Sequence, residues 1–435
     1  MRKEELSNWG NYPKVKAELH FPESAEEVRQ LLSSAQRLVP RGNGRSYGDS
    51  SLGKAILSSK RLDKFLAFDE KAGILHCEAG VLLSEILEVV VPSGFFLPVT
   101  PGTKFITVGG AIAADVHGKN HHVDACFSEH LLFIDVVVET GELIRCSKAE
   151  HSELFWETVG GMGNTGFILG ASFRLKPVET AFIRQESLKA KNLEEVMAFF
   201  EESESWTYTV AWIDCLQKGK NQGRSLLLRG EHAKKEDLPA KWKEKPLTQP
   251  KKLQLNMPMQ LPGFVLNTFS IKAFNFLYYH KQFSKSSKAI VPYEPFFYPL
   301  DFIHNWNRMY GKKGFTQYQF VLPKEKSREG LKEILDQIRI SRQGSFLTVL
   351  KLFGKSNPLA PHTFPQEGYT LAMDFPIRKG LPDLLKKLDE IVLKFEGRLY
   401  LAKDAFMSKA MYEHTYPEFP KPSIFSSDQQ IRLST

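Results

Sequence analysis

Cysteine is scarce in this sequence: 435 residues hold four, Cys77, Cys126, Cys146 and Cys215, all far apart. No CxxC pair occurs, so the spacing argues against both a zinc ribbon and a disulfide framework. A reducing compartment is the expected setting. Long apolar runs are missing as well. The stretch LLFIDVVV, residues 131–138, falls far short of the roughly 20 residues that a membrane-spanning helix needs, and its β-branched residues suit a buried strand. The opening residues MRKEELSNWGNYPKV carry charge with no apolar stretch behind them, so neither a secretory signal nor an anchor is expected. Low-complexity tracts and internal repeats are also lacking, which sets disorder aside.

What is present is the composition of a globular protein, 42% hydrophobic and 25% charged. The length suits two or three domains at about 100–200 residues each. Fifty-eight Lys and Arg against fifty Asp and Glu leave a charge of +8, enough to favour anionic partners: nucleic acid, phosphorylated metabolites or an acidic membrane face. The excess is diffuse and no basic–aromatic repeat accompanies it, which argues against nucleic acid. Its densest run, residues 234–252, reads as a solvated loop, or as a contact for anionic lipid headgroups.

Up to about Val178 short β-rich runs alternate with glycine turns: GILHCEAGV, GGAIAADV, HLLFIDVVVETGELIRC and GFILGASFRLKP. The ETGE turn predicts a hairpin. Helices are expected in SAEEVRQLLSSAQRL, behind the capping Ser24, and in LLSEILEVVVPSG, which Pro92 and Gly94 stop. Beyond Pro177 come longer helices, LKEILDQIRI and LPDLLKKLDEIVLKF, and aromatic-rich strands, WTYTVAWIDCL, GFTQYQFVLP, SFLTVLKLFG and YTLAMDFPI. The fold class is therefore α+β. The expected division is 1–178, a substrate domain at 179–398 with an antiparallel sheet backed by helices, and a segment 399–435 that returns to the first domain.

Three glycine-rich stretches carry the chemistry. PRGNGRSYGDS, residues 40–50, places Gly42, Gly44 and Gly48 beside Arg45 and Ser46. Glycines let successive N–H groups turn inward and approach a pyrophosphate without side-chain obstruction. GGMGNTG, residues 160–166, contains a formal GxGxxG, but the following FILGASFRL reads as a strand, so a nicotinamide fingerprint is rejected. In PGTKFITVGGAIAADVHGKNHH, Gly109 and Gly110 precede small residues against which a flat ligand fits. His117, His121 and His122 follow without the acid of HExxH, so no metal is expected, and His117 is the better candidate for touching cofactor or substrate.

Together RGNGRSYGD, PGTKFITVGGAIAADVHGKNHH, ELFWETVGGMGNTG and LYLAKD resemble the FAD-dependent oxidoreductases of the vanillyl-alcohol oxidase (PCMH) type. LPAKWKEKPL, PLDFIHNWNRMYG and GFTQYQFVLP extend the likeness through the second domain, toward the branch that oxidises a polyprenylphosphoryl ribose. The resemblance implies that FAD is held by Arg41, Gly42, Asn43, Gly44, Arg45, Ser46, Tyr47 and Gly48. It adds Gly102, Thr107, Val108, Gly109 and Gly110, then Ala114, Val116, His117, Ile168 and Tyr400. Where some relatives bond FAD to a histidine, this chain has Arg45, so the cofactor is expected to dissociate.

Oxidation of a secondary alcohol requires loss of the hydroxyl proton and passage of the hydride to the flavin. Lys403 is the first candidate to contact that hydroxyl, as a base or as an orienting donor, with His117 beside it; the bland alternative is a surface lysine paired with Asp404. Gln317 and Gln319, on alternate strand positions, face one side and suit sugar hydroxyls. Lys351 suits the lipid phosphate and Trp212 is a further pocket candidate. The resemblance implies oxidation at C2 to a keto sugar, a short-chain keto-reductase partner, a role in making the arabinose donor of cell-envelope polymers, and a cytoplasmic location with peripheral contact at the inner membrane face. A free sugar, alditol or aldonolactone is the alternative substrate. Two departures stand out: Ala372 occupies the place of a flavin-side cysteine in the mycobacterial-type enzyme, and the C-terminal stretch is short.

Overall fold

The computed structural model describes residues 2–33, 37–250, 254–263, 265–419 and 421–435. The fold is α+β, with three main sheets. The first is small and mixed, ordered β1-β2-β4-β3, from β1 (Arg2–Leu6), β2 (Val15–His20), β3 (Val39–Arg41) and β4 (Ala55–Ser58). The second is antiparallel, ordered β5-β6-β9-β7-β8, from β5 (Phe65–Asp69), β6 (Ile74–Glu78), β7 (Leu131–Val137), β8 (Leu143–Cys146) and β9 (Phe167–Arg174). The expected hairpin joins β7 to β8, with Gly141 at φ 83°, a left-handed conformation that glycine adopts without penalty. A strand follows the GxGxxG, as the sequence indicates.

Helix α1 (Ala25–Leu32) starts where Ser24 accepts from Glu27 N–H. The remainder of that expected helix runs onto residues 34–36, outside the described residues. Helix α2 (Leu83–Val90) stops before Pro92. GGAIAADV departs from its β reading: Val108–Ala113 is a short helix, α3, whose first turn is closed by Thr107 Oγ1 accepting from Gly110 N–H at 3.1 Å. Small residues give no alternating pattern, and the capping threonine decides the outcome.

The third sheet has eight antiparallel strands: β10 (Phe182–Ala190), β11 (Tyr208–Ile213), β12 (Ser225–His232), β13 (Ser286–Pro292), β14 (Phe315–Pro323), β15 (Thr348–Phe353), β16 (Gly368–Pro376) and the short β17 (Arg398–Leu399). Their order is β13-β10-β12-β11-β15-β16-β14-β17. Helices α4 (Leu193–Glu201), α5 (Thr268–His280), α6 (Lys324–Ser341) and α7 (Leu381–Lys394) belong to this part of the chain, and α8 (Lys409–Thr415) and α9 (Asp428–Ser434) end it.

Strand periodicity decides what this sheet does, because alternate side chains point to opposite faces. Tyr318, Phe320, Leu322, Leu350, Leu352, Leu371 and Met373 pack with Leu331, Ile334 and Leu388 from the helices into one apolar core. The intervening positions, Gln317, Gln319, Val349, Lys351 and Ala372, line a cavity on the other face.

Candidate active site

The cavity measures roughly 1590 Å³, well beyond the 300–1,000 Å³ typical of one ligand. It therefore has room for a large cofactor together with a substrate. One wall comprises the glycine stretches and the facing wall is the polar side of the third sheet.

In the turn after β3, Gly44 and Gly48 adopt left-handed φ of 63° and 59°. Among the described residues, the N–H groups of Asn43, Gly44, Arg45 and Ser46 meet no protein acceptor, whereas Tyr47 N–H is tied to Ala402 O at 2.9 Å. Four consecutive unclaimed amides at a cavity wall form an anion nest. Gly102 also lines the cavity, and a Cβ there would meet nothing within 4 Å. These features fit FAD: the diphosphate would lie on the 43–46 amides and the rings against backbone at Gly102, Gly110 and Ala114. Arg41 spends its guanidinium on Ser7 O, Ser51 O and Asn8, and burial lowers its pKa to about 10. The Arg45 guanidinium lies 4.0 Å from the Trp9 ring centre and 5.3 Å from that of Phe105.

Lys403 follows β17 in a single helical turn, 401–403. Its Nζ lies 4.3 Å from the Tyr47 ring centre, in the cavity wall. Burial brings its pKa down to about 8, against the pull of the Asp374 charge. The surface pairing with Asp404 does not form: Asp404 accepts instead from Arg432, Gln429 and the backbone of Phe406 and Met407. Asp374, buried on β16, accepts from Gln317 Nε2 at 2.6 Å and Tyr310 OH at 3.1 Å. Burial pushes its carboxyl up to about 7, with Gln317 and Lys403 pulling the other way.

Gln319 Nε2 lies 3.1 Å from His117 Nε2 and 3.3 Å from Thr370 Oγ1. His117 sits among Phe353, Phe364 and Tyr400, and burial, reinforced by Lys351, holds its pKa well below the usual range, so it is neutral. A neutral ring that accepts from Gln319 through Nε2 carries its proton on Nδ1. Tyr400 OH donates to Ala114 O at 2.9 Å, joining the C-terminal segment to the end of α3. Lys351 has no carboxylate partner among the described residues, and burial, then Lys403, lowers its pKa to about 7. Trp212 donates to Phe346 O at 3.1 Å and presents its ring to the cavity.

Of the residues expected from the sequence, two stand away from the cavity. Val108 is fully buried with its N–H bonded to Val81 O, and Gly48 is pressed against the Asp404 backbone. Both brace the wall from behind. Two of the three histidines also turn elsewhere: His121 packs on Phe353, and His122 Nε2 meets Trp206 O at 2.8 Å. Sequence reasoning missed Asp374, Tyr310 and Lys119, whose Nζ donates to Phe296 O and Phe297 O. The D in MDFPI was a visible signal, but only the pairing of Gln317 with Asp374 across β14 and β16 gives it meaning.

A turn of unclaimed amides facing a polar sheet across one large cavity is what an FAD-binding oxidoreductase needs, and the profile described as FAD binding domain matches residues 17–147. The chain is 36% identical to decaprenylphosphoryl-β-D-ribose oxidase of Mycolicibacterium smegmatis, over 98% of its own length and 97% of that protein's. It belongs to that family of FAD-dependent oxidases. An uncharacterised Streptomyces coelicolor protein is 30% identical over 81% of this chain and its own full length. L-gulonolactone oxidase of Scyliorhinus torazame is 25% identical over 42% of each chain. Among the described residues, no helix is long and apolar enough to cross a membrane.

Proposed function

We propose that the chain oxidises the C2 hydroxyl of a polyprenylphosphoryl ribose to a 2-keto sugar. The observation that carries this reading is Lys403, whose amino group shares one cavity with the amide nest, the two glutamines and Lys351. Residues 1–178 would hold the cofactor and 179–398 the sugar, with 399–435 supplying Lys403 and Tyr400 between them.

Bound FAD supplies the acceptor for the hydride leaving C2. Lys403, as the neutral amine that burial makes accessible near pH 8, takes the hydroxyl proton. Asp374 orients Gln317, and His117 orients Gln319. With both amide nitrogens so engaged, their oxygens are left to accept from sugar hydroxyls. Lys351 in its protonated form holds the phosphate. Tyr47 and Trp212 present rings that keep water from the reacting carbon.

A 2-keto product requires a separate hydride donor for return to the alcohol, the work of a short-chain keto-reductase, and the pair would deliver the arabinose donor of cell-envelope polymers. Four buried thiols fit a reducing compartment and hence the cytoplasmic side of a membrane. The test is the visible spectrum of the purified protein before and after anaerobic addition of prenylphosphoryl ribose. Bleaching of the yellow band by the prenylated sugar, and not by free ribose, alditols or aldonolactones, is the expected result. Bleaching by the free sugars alone overturns the substrate, and colourless protein that takes up no FAD overturns the whole reading.

A further inference from the structure

Between Glu244 and Glu294 the chain contains seven lysines and no arginine, aspartate or glutamate. Helix α5 lies in this acid-free segment. Its inner side holds Ile271 and Asn275, both buried, and Asn275 Nδ2 donates to Asp214 Oδ1 at 2.8 Å, beside the Asp214–Arg224 ion pair at 2.9 Å. The helix is therefore anchored from one side only.

Its opposite side carries Phe269, Ala273, Phe276 and Leu277, at i, i+4, i+7 and i+8, which is one helical stripe. Phe269 is 81% exposed, Phe276 55% and Leu277 68%, and Phe283 just beyond the helix is 95% exposed. A surface helix ordinarily puts charge in that position. Here the charge borders the stripe instead, as the exposed Lys272, Lys281, Lys285 and Lys288. The last lies on β13, an edge strand of the third sheet. The same stretch also lines the cavity through Phe274, Tyr278, Lys281 and Phe283. One short segment thus shows apolar side chains both to the binding cavity and to solvent. Scattered exposed hydrophobics need no explanation, but a contiguous aromatic stripe ringed by uncompensated lysines marks a contact surface.

We propose that the outer face of α5 docks on an anionic bilayer, with Phe269, Phe276, Leu277 and Phe283 in the acyl boundary and the neighbouring lysines on the headgroups. Docking there holds at the leaflet a helix whose other side lines the cavity through Phe274 and Tyr278, with Phe283 at the junction of the two, and substrate entry from this side rests on the lipid-linked substrate proposed above. The surface differs from the lysine-rich run at 234–252, where Glu236, Asp237 and Glu244 interrupt the charge.

Flotation of the FAD-loaded protein tests the docking without any turnover. Vesicles of equal phosphatidylglycerol and phosphatidylcholine are compared with pure phosphatidylcholine. The protein is expected to float with the anionic vesicles and to stay largely behind with the neutral ones. The triple variant Phe269→Ser, Phe276→Ser, Leu277→Ser should lower partitioning by more than about tenfold while keeping its yellow spectrum. Lys285→Glu with Lys288→Glu should weaken the anionic preference. Wild-type protein that remains in the bottom fraction with both vesicles overturns the proposal, as does a triple variant that floats normally. A wild-type dimer that the triple variant turns to monomer, with no flotation, assigns the stripe to a second copy and also overturns it. Floating protein whose flavin no prenylated sugar reduces leaves docking intact and refutes the substrate instead.

Discussion

If the neutral amine of Lys403 takes the hydroxyl proton, the rate of flavin reduction must follow the fraction of that amine. With its pKa brought down to about 8 by burial, roughly a tenth of it is neutral at pH 7, half at pH 8 and about nine-tenths at pH 9. The reductive rate constant at saturating substrate should therefore rise about tenfold from pH 7 to pH 9 and then level off. Because the Asp374 charge raises the Lys403 pKa, Asp374→Asn should move the midpoint of that rise to lower pH. Lys403→Met should abolish the rising limb and lower the plateau by about 10²–10⁴-fold, the usual worth of a positioned base. The assay is anaerobic stopped-flow bleaching of the flavin under single-turnover conditions. A rate that falls as pH rises through 8 would refute the base role and make the ammonium an orienting donor. A rate unchanged in Lys403→Met would remove the residue from the chemistry.

Lys351→Ala should raise KM about 10–100-fold with little change in kcat, since it removes a charge-assisted contact to the phosphate rather than a reacting group. In the free enzyme that cation is lost as pH climbs past about 7, so kcat/KM should sag on the alkaline side through a rising KM, and substrate binding should push the limb upward. Gly48→Ala combines a left-handed φ of 59° with a Cβ driven into the Asp404 carbonyl oxygen; the backbone strain alone, about 1–3 kcal/mol, should appear as a lower Tm and weaker FAD retention in a thermal-shift titration. Acid precipitation should release the flavin into the supernatant, because the 43–46 turn offers Arg45 and no histidine. Thiol-dependent inhibitors should leave the wild type unlabelled by mass spectrometry and couple to Ala372→Cys, because position 372 lies in the cavity wall while all four native thiols are buried.

The local features of this molecule were legible in its residues. Ser24 as a cap, the ETGE hairpin, the strand after Gly166 and the alternation that turns Gln317 and Gln319 to one side all follow from short-range rules. α3 was missed because glycine and alanine carry no periodicity, and a single threonine hydroxyl closes its first turn. Asp374 was missed because its partner lies 57 residues away, and only strand pairing joins them. The partner of Asp404 is hidden in the same way: Lys403 is its neighbour in sequence, yet Arg432, 28 residues further on, is the cation that reaches it. The lysine run at 234–252 is visible in the sequence, whereas the stripe on α5 is not, because exposure is a property of the folded surface.

Arg432, on α9, grips Asp49 in the glycine-rich 40–50 turn with one edge of its guanidinium and also reaches Asp404, the residue after Lys403. One side chain of α9 therefore ties the 40–50 turn to the segment that carries Lys403. Arg432→Ala would slacken both segments at once, from a residue that does not line the cavity.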